Sequence, residues 1–303
     1  MEDPVVSATA HRISNPKKVC LGLSIALAIG FAGAGCFEAL TAKRDSDFIR
    51  DVFIADTFAE ADKQIALVEA PRESDLLETR LEALALATAR LSGFETTLHA
   101  GRGGPYKILK APPADAAQIG GQCGNLTRLF TTAARLAGME ARRAHLYEIK
   151  GIDRPRPEAY VHAIVEVKVE DRWIIVDPIY GVVYRDATGR LAESSDLAAD
   201  PELVRNQVTN RPRPTDYMHF PPAPYDFDLY HFAELRRIRW TILPGGEAIR
   251  GFIAKVVGEE AANEIAYPPS FERPHQFLAV IYGLSSLGLG GFAELLWRRF
   301  SRD

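Results

Sequence analysis

The chain has little cysteine and no excess of basic charge. Only three of its 303 residues are cysteines, and two of them, Cys20 and Cys36, lie in an apolar stretch near the N-terminus. This distribution excludes a disulfide framework. A zinc site is not expected either, because no second cysteine lies near Cys123 and no HExxH sequence occurs. The formal net charge of −4 gives no indication of a nucleic-acid partner. We therefore expect neither a cofactor nor a metal.

Two long apolar segments stand out in a composition that is otherwise typical of globular proteins. Hydrophobic residues make up 47% and charged residues 25% of the chain, enough for a full core. Residues 19–40 and 276–297 are each apolar over nearly the thickness of a bilayer, which a helix of about 20 residues spans. Lys18 precedes the first segment and Arg298 follows the second, as is common at membrane spans. We predict two transmembrane helices, with buried helices of a soluble protein as the alternative.

Basic residues around these segments predict the orientation of the chain. Six of them lie on the outer sides of the two segments and four on the inner sides. This count favours a cytoplasmic N-terminus (1–18) and tail (298–303), with the intervening domain outside. The expected location is the plasma (inner) membrane, with the domain on its extracytoplasmic side. A cleaved signal peptide is the alternative for the first segment.

Residues 41–275 are predicted to form one domain with three parts. Residues 45–93 have the apolar spacing of two helices. Residues 115–190 contain the chemically informative motifs, and residues 210–245 form an extension rich in proline and aromatic residues. Beyond the extension, residues 246–267 are predicted to form an amphipathic helix.

The extension contains a potential metal-ligand set. Asp226, Asp228 and His231 are close in sequence. The prolines and the strand-like alternation around them instead favour a loop that packs its aromatic side chains on the domain. Such a loop could roof a cleft and bind substrate.

The most informative motif is Gly121-Gln122-Cys123-Gly124. Cys123 is the only cysteine outside the apolar ends, and it stands where an apolar-periodic helix begins. Apolar residues recur there at helical spacing, at Leu126, Phe130, Ala133, Ala134 and Ala137. The unpaired N–H groups and the positive dipole end of a first helical turn favour thiolate over thiol. Cys123 is therefore a candidate nucleophile.

Two alternating stretches further along predict an antiparallel hairpin. In residues 160–170, His162 shares a face with Glu166, and in the next stretch Asp177 shares a face with Trp173. His162 and Asp177 are 15 positions apart. A hairpin with an even-length loop therefore places both on one face, directly opposed or one pair diagonal. The carboxylate can then hold the imidazole, and the imidazole can deprotonate the thiol.

Each of these residues also has an ordinary structural explanation. A lone cysteine at a helix start is more often a small core residue. A lone histidine on a strand is usually packed or solvated, and an aspartate before proline commonly ends a strand. The occurrence of all three in order, on compatible faces, favours a catalytic site.

These motifs resemble the transglutaminase-like (papain-like cysteine peptidase) superfamily, in its bacterial membrane-anchored type. The G-x-C-G helix start is similar to the nucleophile motif of that family, and HAIVEVKVEDRWIIVDP is similar to its H-x-W-x-E-V…W-x-x-V-D-P hairpin. The resemblance covers roughly residues 115–185. It implies an α+β fold in which a helix bearing cysteine packs on an antiparallel sheet bearing histidine and aspartate. By the resemblance, Cys123 is the nucleophile, His162 the general base and acid, and Asp177 the orienting carboxylate.

Two departures from the family pattern concern the substrate. Asn125 stands where an acidic residue is frequent, and Ile164 stands where an aromatic residue is frequent. Neither change removes a catalytic group, and both leave the substrate open.

The function that follows is a membrane-anchored cysteine protease or amidase, which forms a thioester from an amide of a peptide or protein substrate, with a component of the cell envelope as one candidate. The backbone N–H of Cys123 is one oxyanion donor by position, and Gln118 or Gln122 is a candidate second donor. Two alternatives stay open: a non-catalytic membrane scaffold with a relic triad, and a cross-linking acyltransferase. Hydrolysis is preferred because the sequence marks neither a site for a second nucleophile nor a metal site that would control cross-linking.

Overall fold

The computed structural model describes residues 16–66, 73–91, 123–148, 161–209, 230–240, 245–266 and 274–300. The chain divides into two compact units. The terminal unit comprises residues 1–43 and 274–303, and the central unit comprises residues 44–273.

The described elements follow one another as helices, a block of strands and further helices. In chain order they are α1 (Pro16–Phe48), a π-helical segment (Ile49–Ile54), α2 (Ala55–Ile65), α3 (Glu73–Ala89), α4 (Cys123–Leu136), β1 (Ala141–Glu148), β2 (Val161–Val169), β3 (Arg172–Asp177), β4 (Val182–Val183), α5 (Ser194–Ala199), α6 (Pro201–Thr209), β5 (Tyr230–Arg236), α7 (Gly246–Val257), α8 (Glu259–Glu264) and α9 (Pro274–Phe300).

Helices α1 and α9 are long and apolar enough to cross a membrane, by length and composition. Their apolar side chains are largely exposed, as at Ile29 (67%) and Leu287 (74%). The core helix of a soluble protein would bury such residues, and these helices do not. The predicted apolar segments 19–40 and 276–297 lie within α1 and α9.

Within the terminal unit, the two helices pack through small and aromatic residues. The ring of Phe31 stacks on that of Tyr282 with 5.9 Å between centroids. The hydroxyl of Ser286 donates a hydrogen bond to the carbonyl oxygen of Ala28 at 2.8 Å. At Gly35, an added Cβ would lie 3.4 Å from the carbonyl oxygen of Ala279, so the backbones approach closely there. Small residues at the point of contact are typical of helix pairs in membranes.

The central unit contains a five-stranded antiparallel sheet with strand order β4-β3-β2-β1-β5. The alternation of β2 determines its two faces. On one face, Val165 and Val167 pack with Leu129 and Phe130 of α4, and side chains of α3 join them. The opposite face carries Ile164 and Ile175 and is covered by α5 and α6. The predicted α+β fold, with the cysteine helix on an antiparallel sheet, is confirmed.

The hairpin of β2 and β3 has the even loop length that the sequence argument requires. Val169 pairs with Arg172, which leaves a two-residue turn at Glu170 and Asp171. Glu170 adopts a positive φ of 56°, as tight hairpin turns demand.

Two predicted helical regions are interrupted in the structure. The predicted helix over 246–267 breaks at Gly258, whose φ of 95° is incompatible with a continuous helix, and so forms α7 and α8. In the predicted two-helix region 45–93, α1 continues to Phe48 and is joined to α2 through the π-helical segment. Most of the proline-rich extension (210–229) lies outside the described residues, and strand β5 follows it.

Candidate active site

Three elements bring the predicted site residues together. Cys123 is the first residue of α4, His162 is the second residue of β2, and Asp177 is the last residue of β3. Because β2 and β3 are antiparallel, the start of β2 lies beside the end of β3. Cys123 is half-buried and packs against the apolar cluster on the His162 face of the sheet.

His162 and Asp177 share a face of the sheet in a diagonal arrangement. Val165 pairs with Val176, so extending the register by one residue sets Ile164 opposite Asp177. His162 lies two residues before Ile164 and therefore on the same face. Its Nε2 lies 2.7 Å from Oδ2 of Asp177. Of the two arrangements that the sequence allows, the structure has the diagonal one.

The backbone of the following turn orients the Asp177 carboxylate. Oδ1 accepts hydrogen bonds from the N–H groups of Ile179 at 3.0 Å and Tyr180 at 3.4 Å. Oδ2 is then directed at the imidazole of His162. Both side chains are only 1% exposed, so water does not compete for these bonds.

The ring of Tyr180 lies beside the imidazole of His162. Its ring lies 6.2 Å from the imidazole of His162, tilted by 56°, and the residue is 3% exposed. Sequence reasoning missed this residue. The only signal is an aromatic two positions after Pro178 in the turn that ends β3.

The surroundings of Cys123 lower the pKa of its thiol. Burial acts to raise that pKa, but the hydrogen bond and the charge of His162 outweigh it. The backbone N–H of Ala163 adds a further hydrogen bond to the sulfur, while the charge of Asp177 opposes the shift. The net direction favours a thiolate.

His162 shifts in the complementary direction. Burial would lower its pKa, but the charge and hydrogen bond of Asp177, together with Cys123, raise the pKa to about 10. A lowered thiol pKa beside a raised imidazole pKa favours a thiolate–imidazolium pair.

A second buried histidine lies on the other face of the same sheet. His145 pairs with Ala163 across β1 and β2, so it faces away from His162. Burial, with the positive charges of Arg143 and Arg239, lowers the pKa of His145 to about 3. This imidazole is therefore neutral at physiological pH. Sequence reasoning did not identify it.

Glu166, predicted on the His162 face, anchors a buried ion network further along β2. Its carboxylate is 1% exposed and accepts hydrogen bonds at 2.8 Å from Arg142 and from both Nε and Nη2 of Arg237. The Arg142 guanidinium also lies 3.9 Å over the ring of Trp173, and both arginines reach Glu264 of α8. The network ties β1, β2, β3 and α8 together.

Several predicted residues fall outside this description. Gln118 and Gln122, the candidate oxyanion donors, lie outside the described residues, as do Asp226 and Asp228. Asn125 is half-buried in the first turn of α4. Among the residues that are described, no group of three or more histidine, cysteine or acidic side chains could hold a metal ion.

Comparison with known proteins identifies the part of the chain that contains this site. Residues 76–178 match the family model of the transglutaminase-like superfamily. Neither a curated protein nor a solved structure matches the chain. The matched segment begins in α3 and ends just after Asp177, so it includes Cys123 and His162. The chain thus carries a transglutaminase-like superfamily domain at residues 76–178.

Proposed function

We propose that the protein is a membrane-anchored cysteine hydrolase that cleaves an amide bond in a peptide or protein. One observation supports the proposal: the imidazole of His162, which lowers the thiol pKa of Cys123 against the effect of burial, lies 2.7 Å from a buried aspartate that the backbone orients. A thiol activated by a base that a third group orients is the arrangement of a covalent nucleophile.

In the first step, the thiolate of Cys123 attacks the substrate carbonyl carbon. A carbon–sulfur bond forms, and the π electrons of the carbonyl move to its oxygen. Cys123 is the first residue of α4, so its backbone N–H has no partner within the helix and can stabilise this oxyanion.

In the second step, His162 donates its proton to the nitrogen of the leaving amine. The carbon–nitrogen bond breaks and a thioester remains on Cys123. Asp177 keeps the imidazole in place through the hydrogen bond between Nε2 and Oδ2.

In the third step, water attacks the carbonyl carbon of the thioester, and His162 accepts a proton from that water. The carbon–sulfur bond breaks, the product acid leaves, and the proton on His162 restores the ion pair. An amine in place of water would yield a new amide, and the protein would then be an acyltransferase.

Incubation with peptide substrates tests the proposal and distinguishes these outcomes. We expect the full chain, in detergent micelles, to release an acid product from peptides, with no incorporation of added primary amines by mass spectrometry. The variant Cys20→Ala/Cys36→Ala keeps Cys123 as the only thiol and serves as the active reference. Loss of product on further substitution Cys123→Ala assigns the activity to this site. Predominant amine incorporation would identify an acyltransferase, and a Cys123 without elevated reactivity would identify a scaffold.

Membrane anchoring rests on the length, composition and exposure of α1 and α9. The basic flanks favour an extracytoplasmic domain. An impermeant maleimide applied to intact cells tests this orientation through Asp171→Cys in a background without native cysteines, since Asp171 is exposed in the β2–β3 turn. We expect labelling of intact cells. Labelling only after lysis would reverse the orientation.

A further inference from the structure

Helix α7 exposes a continuous apolar face. Ile249, Phe252, Val256 and Val257 are 49%, 69%, 66% and 54% exposed. At about 100° per residue, these positions and the half-buried Ile253 fall within one arc of roughly 140° around the helix. A single exposed apolar residue is ordinary, but a contiguous face of four large exposed side chains indicates a binding surface.

Polar contacts at one edge of the arc and on the back of the helix hold this face outward. Arg250 donates a hydrogen bond to Oδ1 of Asn263 at 3.0 Å and forms an ion pair with Glu259. Glu247 lies 3.7 Å from Arg236 at the end of β5. Because these polar contacts fix the rotation of α7, the helix cannot turn its apolar face inward without breaking them.

The position of α7 in the chain indicates what covers the face. Only the nine residues 265–273 separate the end of α8 from the start of α9. At no more than about 3.5 Å per residue, this connection reaches at most roughly 35 Å. Helix α7 joins α8 through Gly258 alone, so it too precedes the span by a short stretch of chain. A helix near a membrane span in the chain, with phenylalanine, isoleucine and valine on one face, has the character of an interfacial helix.

We propose that α7 is an interfacial helix whose apolar face inserts at the headgroup–acyl boundary of the bilayer that α9 crosses. The inference rests on the membrane anchoring described under the proposed function. It gives the domain a second attachment to the lipid surface, which limits its tilt and restricts the substrates that can approach it.

The charges beside the face predict how it selects lipid. Lys255 lies about 60° beyond one edge of the apolar arc, whereas Glu259 and Glu260, both exposed, begin the next helix. Positive charge therefore does not dominate the surface, and insertion depends on apolar contact. The face binds zwitterionic phosphatidylcholine as well as anionic phosphatidylglycerol.

Depth-dependent quenching in nanodiscs tests the proposal with the full chain. Cys20, Cys36 and Cys123 are replaced by alanine, and an environment-sensitive dye is attached to Phe252→Cys. Lys255→Cys, on the same helix but outside the apolar arc, is the matched control. Leu284→Cys in α9, where the native side chain is 62% exposed, reports the span. Lipids that carry a quencher near the glycerol backbone provide the readout.

The expected result is several-fold stronger lipid quenching at position 252 than at position 255, equal in phosphatidylcholine and phosphatidylglycerol discs. Quenching at 284 but not at 252, with the dye at 252 open to an aqueous quencher, overturns the proposal and leaves the anchoring intact. A dye at 252 that is shielded from both quenchers also overturns it, because a protein surface then covers the face. Absence of lipid quenching at both 252 and 284 overturns the anchoring as well.

Discussion

The imidazole of His162 and the carboxylate of Asp177 meet across two antiparallel strands, with 2.7 Å between Nε2 and Oδ2. The same imidazole acts on Cys123 and, against the effect of burial, lowers the pKa of its thiol. Against the effect of burial, both Asp177 and Cys123 raise the pKa of this imidazole, which therefore couples the carboxylate to the thiol.

The charge of Asp177 is the first feature to test. Burial acts to lower the pKa of His162, and the carboxylate of Asp177 overcomes that effect and raises it. We therefore expect Asp177→Asn to lower this pKa towards its ordinary value. The turnover of amide substrates should fall by on the order of 10²- to 10⁴-fold. The measurement is kcat/KM, with circular dichroism to verify folding. Near-normal kcat/KM in a folded variant would show that Asp177 only terminates the strand.

The pH dependence of turnover follows from the ion pair. The pKa of His162 is raised to about 10 and that of Cys123 is lowered, so thiolate and imidazolium coexist between the two values. Activity should rise as pH increases through the lowered thiol pKa, stay level above it, and decline as the imidazolium deprotonates near pH 10. The check is kcat/KM across pH, read as values of the coupled pair. A maximum confined to pH above 9 would contradict a preformed pair.

The network around Glu166 predicts a stability difference between two acidic residues. Glu166→Gln removes the buried negative charge that Arg142 and Arg237 share. We expect the free energy of unfolding to fall by about 3 kcal/mol. The matched control is Glu140→Gln, because Glu140 is 63% exposed and pairs with Lys168 at 3.6 Å. Its effect should stay within about 0.5 kcal/mol. Chemical denaturation compares the two, and equal effects would mean that the Glu166 network adds no stability.

Two glycines with positive φ allow the stability cost of backbone strain to be distinguished from the cost of steric overlap. Gly181 has φ 61°, and an added Cβ would lie 2.9 Å from Cβ of Ala89 and 3.1 Å from the carbonyl oxygen of Ala85 in α3. Gly189 has φ 85° with open space around it. Gly189→Ala should cost about 1–2 kcal/mol from strain alone, and Gly181→Ala should cost more.

Thermal denaturation of both variants provides the comparison. Gly181→Ala should also reduce turnover, since Gly181 directly follows the turn that orients Asp177. An equal loss of stability in the two variants would show that α3 moves away freely from the β3–β4 turn.

The sequence predicted that His162 and Asp177 share a face of the sheet because periodicity and spacing carry that information. The 15-residue separation of His162 and Asp177, with a two-residue turn, leaves little choice about their shared face. The same reasoning could not find Tyr180 or His145, since a buried aromatic or a neutral histidine has no distinctive spacing. It also continued one helix through Gly258, because an amphipathic pattern does not reveal whether a glycine takes a positive φ.

The partners of Glu166 were equally inaccessible from the sequence. Its position on the face of His162 follows from the alternation of β2. Arg237 binds the Glu166 carboxylate through two nitrogens and is 71 residues away. It follows strand β5, which was not predicted because it lies in the proline-rich extension. Contacts between residues so distant depend on the packing of β1, β2 and β5, which local patterns do not encode.

The most direct test of the account is the pH dependence of Cys123 alkylation in the full chain, with Cys20 and Cys36 replaced by alanine. We expect an apparent thiol pKa well below the value of about 8.5 for a free thiol. His162→Ala should raise it to that value or above, because only the backbone N–H of Ala163 then opposes the effect of burial. His145→Gln, which removes a neutral imidazole from the other face of the sheet, should leave the pKa nearly unchanged. A Cys123 that titrates as an ordinary thiol and does not respond to His162→Ala would contradict the ion pair, and with it the proposed chemistry.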